Sequence, residues 1–259
     1  MAKITTKELL DAGVHFGHLT RKWDPQMAPF IFMEKNGIHI IDLNKSLQHL
    51  EEACAALQAV VRSGRKIMFV ATKKQAKEIV EEQAKKLKMP YVTERWLGGM
   101  LTNFATIRKS LKKMTTIDKL LKEDAYSNLA KREKLMLSRE RAKLERVLGG
   151  IADLNRLPAA LFVVDIKREH IAIAEAQKLN IPVFAMVDTN SNPNEVDYPI
   201  PANDDSFKSI SLITNHLSNA MELGLNERKK EKEDSKIAEE AKKQKAEEVG
   251  EKKIDHSNS

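Results

Sequence analysis

Short apolar runs alternate with helix-length amphipathic stretches from about residue 30 to residue 225 of this chain. No other feature constrains the fold as much, because strands separated by helices pair in parallel under two covering layers. Residues 66–71, 160–164 and 183–187 read as strands with no polar alternation inside them, as expected when both faces are buried. Between them, apolar positions recur at helical spacing. Asn44 is expected to cap a helix through Leu47, Leu50, Ala53, Cys54, Leu57 and Val61, ended by Gly64. Thr72 is expected to cap the next, which runs through Ile79, Val80, Ala84 and Leu87 until Pro90 stops it. A further helix is expected at 169–179, and Asp204, Asp205 and Ser206 read as the cap of one through Phe207, Ile210, Ile213 and Leu217. Asn36-Gly37 between two apolar runs is a hairpin signal. The expected fold is α/β, an open doubly wound parallel sheet, with binding residues gathered at the carboxyl ends of its strands.

Two segments break the rhythm. Residues 104–148 show no strand signal but carry two one-sided apolar stripes, first Ile107, Leu111, Met114, Ile117 and Leu121, then Leu137, Leu144, Leu148 and Ile151. Paired across a turn near Tyr126, Ser127 and Asn128, they predict an inserted antiparallel coiled-coil arm. The second segment, 227–259, alternates Lys, Glu and Ala and cannot build a core, so it is expected to be disordered or at most a solvated single helix. The globular domain is then 1–103 with 149–226.

Charge gives the arm its meaning. The chain carries a net charge of +7. Residues 108–146 hold 13 basic and 6 acidic side chains, which matches that whole surplus, while the tail balances 10 against 10. A single cysteine, Cys54, rules out an intramolecular disulfide, and the opening residues lack the apolar stretch of a secretory leader. No apolar run reaches the ~20 residues of a membrane span. A cytoplasmic protein that meets no membrane is the expectation.

Four groups of residues are candidates for function. Arg108, Lys109, Lys112, Lys113, Arg132, Arg139 and Arg141 on the arm would neutralise phosphates and release counterions, unless they form only a solvated coiled-coil face. His15, His18, Arg21, Lys22 and Trp23, in an expected loop with Gly13 and Gly17, combine cations with a stacking surface. His15 and His18 alone supply too few ligands for a metal. Arg95, Trp96, Thr102 and Asn103 flank Gly98-Gly99, which could cradle a phosphate or simply turn the chain into the arm. Asp165 and Asp188 end strands where an α/β enzyme or nucleotide-binding module would keep its chemistry. No nucleophile elbow, metal-ligand cluster or paired acid and base accompanies them, so catalysis, cofactor and metal are not expected.

The segments GVHFGHLTRKWD from Gly13, RWLGGMLTNF from Arg95, 158–182 with Asp165, Glu169 and Glu175, and 187–205 closely resemble one family in this order. That family is the universal small-subunit ribosomal protein two, bacterial type. The resemblance covers about residues 5–225 and leaves the tail outside. It implies a flavodoxin-like sheet with an inserted coiled-coil hairpin, and binding to small-subunit ribosomal RNA near the junction of head and body. It also implies a neighbour, the large OB-fold protein numbered one of the same subunit, which delivers messenger RNA. A homo-oligomer is not expected.

Overall fold

The computed structural model describes residues 4–120 and 130–255, and side chains as far as 233. The expected turn at Tyr126, Ser127 and Asn128, and Leu121 of the first stripe, lie outside the described residues.

Five strands form a parallel sheet: β4 (Ile67–Val70), β5 (Tyr91–Val92), β6 (Ala160–Val164), β7 (Val183–Val187) and β8 (Tyr198–Pro201). They lie in the order β5-β4-β6-β7-β8, which is the 2-1-3-4-5 order of a flavodoxin-like sheet when counted from β4. Alternate side chains of each strand serve opposite layers. Phe69, Phe162 and Phe184 pack with α2 (Leu43–Arg62), α3 (Lys77–Leu87) and the first part of α7 (Phe207–Asp255). Met68, Leu161, Val163 and Ala185 pack on the other face with α6 (His170–Lys178) and with residues of α4 (Phe104–Leu120) and α5 (Lys131–Leu148). Each fully buried Phe contributes roughly 1.5–3 kcal/mol, and the three on one face stiffen the sheet's centre.

Helices α4 and α5 pack on each other, with Ile107, Leu111, Met114 and Ile117 buried on α4 but only Leu148 on α5. The root of α4 therefore belongs to the core, while the far part of the pair exposes its cations. Gly150 marks the return to the body, since a Cβ there would collide with the backbone and ring of Tyr91.

A smaller antiparallel sheet precedes this frame, in the order β1-β3-β2: β1 (Phe16–Leu19), β2 (Ile31–Lys35) and β3 (Ile38–Ile41). Asn36 and Gly37 join β2 to β3 with φ of 54° and 72°, the two left-handed residues of a type I′ turn. β1 corrects the expectation of a loop between Gly13 and Pro25. Four residues are too few for a clear alternation, and it is pairing with β3 that makes them a strand.

Two expected caps are also corrected. Asp42, not Asn44, caps α2 by accepting from the Asn44 amide. Thr72 caps nothing, because its amide and hydroxyl both donate to Glu169 from 97 residues away. Before α7, Ser206 stands at the N-cap as expected, its carbonyl accepting from the Ile210 amide, while Asn203 takes the Asp205 and Ser206 amides and leaves Asp204 free for another partner. Helix α7 runs unbroken from the core into the tail, as far as Asp255.

Candidate nucleic-acid interface

The carboxyl ends of the parallel strands carry a cluster of charges. Lys73 follows β4, Asp165 follows β6, Asp188 follows β7, and Asp204 and Asp205 follow β8. Parallel pairing alone brings them together. Lys73 Nζ lies 2.7 Å from Asp204, 2.7 Å from Asp205 and 3.3 Å from Asp165. His18, from β1, places Nδ1 3.0 Å from Asp188 and Nε2 3.3 Å from Asp205. The small sheet is clamped here, because the His18 amide donates to Thr189 Oγ1 at 2.8 Å. Gly17 is required at the crossing, where a Cβ would overlap the Thr189 side chain.

Burial pushes the Asp204 carboxyl up to about 7, helped by repulsion from Asp188 and Asp165 and opposed by Lys73. The hydrogen bond to Asp188 raises the His18 imidazole above its ordinary value. Burial works against the Lys73 charge, yet Asp204, Asp205 and Asp165 hold its pKa above the usual lysine value. One ligand atom each from His18, Asp188 and Asp204 lies within 4.8 Å of the others, and Asp204 Oδ2 is buried without a hydrogen-bond partner. Among the described residues this is where a divalent ion could be held. His15 takes no part; burial lowers its pKa, and its ring rests 4.0 Å from that of Phe16.

Asp165 and Asp188 are thus consumed by Lys73 and His18 and present no free catalytic carboxylate.

The segment from Arg95 to Asn103 is organised around one carboxylate. Glu175 of α6 accepts from the Gly99 amide at 2.7 Å, Leu101 at 2.9 Å and Thr102 at 3.0 Å, and from Trp96 Nε1 and Thr102 Oγ1, both at 3.1 Å. Burial disfavours the Glu175 charge, but these donors win and its pKa falls below the ordinary value. The amides that could have cradled a phosphate are turned inward to an anion of the chain itself. Gly99, at φ 88°, allows that turn. Trp96 is buried and anchors the loop, while Arg95, Thr102 and Asn103 remain exposed. Glu169 does similar work below β4, with its pKa raised by burial despite two hydrogen bonds from Thr72.

Outside these internal pairs, the cations face solvent. Arg21 and Lys22 are exposed, and Trp23, 38% exposed, lies 5.1 Å from the His39 ring. On the two long helices, Lys113 pairs with Glu140, and Arg141 with Asp118 and Glu145. Arg108, Lys109, Lys112, Lys119, Lys131, Arg132, Arg139, Lys143 and Arg146 are exposed and have no partner among the described residues.

The sequence model of ribosomal protein S2 matches residues 9–224. The chain belongs to the ribosomal protein S2 family. A small ribosomal subunit protein uS2 of Cytophaga hutchinsonii is 69% identical over 244 residues, covering 94% of this chain and 96% of the relative. That of Flavobacterium johnsoniae is 66% identical, with 89% and 91% covered, and that of Bacteroides fragilis 59%, with 93% and 87% covered. This member of the ribosomal protein S2 family is a structural protein of the small subunit in translation, not an enzyme, and works in the bacterial cytoplasm. No helix among the described residues is long and apolar enough to cross a membrane.

Lys73, Asp204 and Glu175 were not singled out as chemistry from the sequence. Their signal was present for the first two, since each stands three residues past the end of a strand, where parallel strands deliver side chains to one edge.

Proposed function

We propose that the chain docks onto small-subunit ribosomal RNA through the arm at residues 104–148, with the His15–Trp23 and Arg95–Asn103 segments as flanking contacts. The observation that carries this is the set of nine exposed cations on α4 and α5 that pair with no acid among the described residues. An internal stability role would have matched them to carboxylates, as Lys113 and Arg141 are matched. Phosphates complete such a surface, and each contact adds about −0.9 to the salt slope of binding on duplex. In the flanking segments, exposed Arg21, Lys22 and Arg95 reach outward, while His18 and Trp96 hold the backbone that presents them. A helping role in seating the mRNA-delivering OB-fold protein follows from the family resemblance.

Reversing Lys109, Lys112, Arg132 and Arg139 to Glu should abolish tight binding of the purified protein to small-subunit RNA at ~0.15 M salt. Affinity and salt slope equal to those of the parent protein would refute arm docking. Loss of co-sedimentation of the OB-fold protein from subunits lacking this chain tests the seating role.

A further inference from the structure

The body is neutral as a whole, but its charge is divided between two ends. At the carboxyl ends of the strands the acids cluster. At the amino ends, two open depressions of about 410 and 550 Å³ share Lys66, Asp153 and Leu154 and so form one continuous groove. Lys66 stands just before β4, Pro90 before β5 and Ala159 before β6, with the Ala159 amide bonded to the Lys66 carbonyl at 2.9 Å. The groove floor is therefore the sheet's own edge, rigidly held.

Arg65, Lys66, Lys85, Lys88 and Arg156 line this groove, and Asp153 is its one acid. Lys85 is spent on Glu81 at 2.6 Å. The other four cations are exposed and have no partner among the described residues. A structural explanation exists, because α2, α3 and α5 end here and a helix carboxyl terminus carries about half a negative charge. Three such ends supply at most about −1.5, which is less than the surplus of these cations over Asp153. Positive charge is left over in a concave surface, where fields are focused toward a counter-charged partner.

The groove also has a neighbour. Gly149 and Gly150, which carry the chain out of α5, line it directly. The cations of α5 thus lead onto the amino-end face of the body, where Asp153 is the one acid of the groove. Helix α7 adds another cation, since the Arg228 guanidinium lies over Gly64 at the rim.

We infer that this groove is a second nucleic-acid contact, a track for the phosphodiester backbone of the RNA strand that passes the root of α5. The inference rests on the reading that α4 and α5 face ribosomal RNA, and it extends that surface onto the globular body. Recognition here is by charge and shape; the lining offers no exposed aromatic face beyond the half-buried Tyr91, so no base preference is expected.

The test uses the full-length protein and naked small-subunit RNA. The triple variant Lys66→Gln, Lys88→Gln, Arg156→Gln should keep the parental melting temperature within a few degrees, since all three side chains are exposed. Its salt slope should become shallower by roughly two to three, at about 0.9 per lost contact. Lys66 and Lys88 should also be protected from amine-reactive labelling in assembled subunits and be labelled in free protein. An unchanged slope overturns the inference, and if subunit incorporation is nevertheless lost, the groove's occupant is an acidic protein instead. The arm variants separate the two readings. If they lose binding while the triple variant does not, the groove fails and arm docking stands; if only the triple variant loses it, the reverse holds.

Discussion

The two ends of the parallel sheet treat charge in opposite ways. At the carboxyl ends, Asp165, Asp188, Asp204 and Asp205 surround Lys73 and His18 at hydrogen-bonding distances and close against the small sheet. At the amino ends, Arg65, Lys66, Lys88 and Arg156 surround open space. The first arrangement spends its charges on the fold, where buried groups must be matched. The second leaves them exposed to solvent. Most of the buried anions of this protein serve its interior, and its unpaired cations serve its exterior.

That contrast can be broken by substitution, most severely at Lys73. Lys73→Ala leaves three carboxylates facing one another without their cation and should lower stability by about 3–5 kcal/mol in chemical denaturation. A loss below ~1 kcal/mol would show that water or another cation already serves the cluster.

Glu175→Gln comes next. It replaces an acceptor of five hydrogen bonds with a side chain that must turn a donor toward some of them, at a cost of about 1–3 kcal/mol. The cost should depend on pH. Because the folded pKa of Glu175 is lowered, its stabilisation is present above the ordinary carboxyl value of 4.5 and is lost as pH falls through the folded value. Parent and variant should therefore converge in acid, and parallel stability curves from pH 7 to pH 3 would contradict the charge-based account of the loop.

A smaller effect is expected at Gly17. Gly17→Ala forces a methyl against Thr189 and should destabilise by roughly 1–3 kcal/mol, and pairing it with Thr189→Ser should recover part of that loss. The smallest stability effects belong to the amino-end groove. Lys66→Gln or Lys88→Gln alone should change stability by less than ~0.5 kcal/mol while still lowering affinity for RNA. A stability loss as large as that of Lys73→Ala would erase the difference between the two ends.

Much of the architecture was legible in the chain. Unbroken apolar runs such as Leu161-Phe162-Val163-Val164 announce strands covered on both sides, and Asn36-Gly37 announces its hairpin, because these depend on local sterics and burial alone. The cap assignments at Asn44 and Thr72 went astray because Ser, Thr, Asp and Asn bond equally well to near and distant partners, and distant partners are invisible in sequence. Glu169 could not announce that it takes Thr72, nor Asp204 that it takes Lys73.

The same division applies to the site. Sequence determined the order of strands and helices, the concentration of positive charge between Arg108 and Arg146, and the family motifs at Gly13 and Arg95. Counting along the chain found the body neutral and stopped there, since a sum over residues carries no direction. Only parallel pairing, which sends every strand's carboxyl end to one edge and every amino end to the other, gathered Asp165, Asp188, Asp204 and Asp205 at one end and Arg65, Lys66, Lys88 and Arg156 at the other. Tertiary structure decided which charges are consumed and which stay exposed, because that depends on distances between residues far apart in the chain, such as His18 and Asp205.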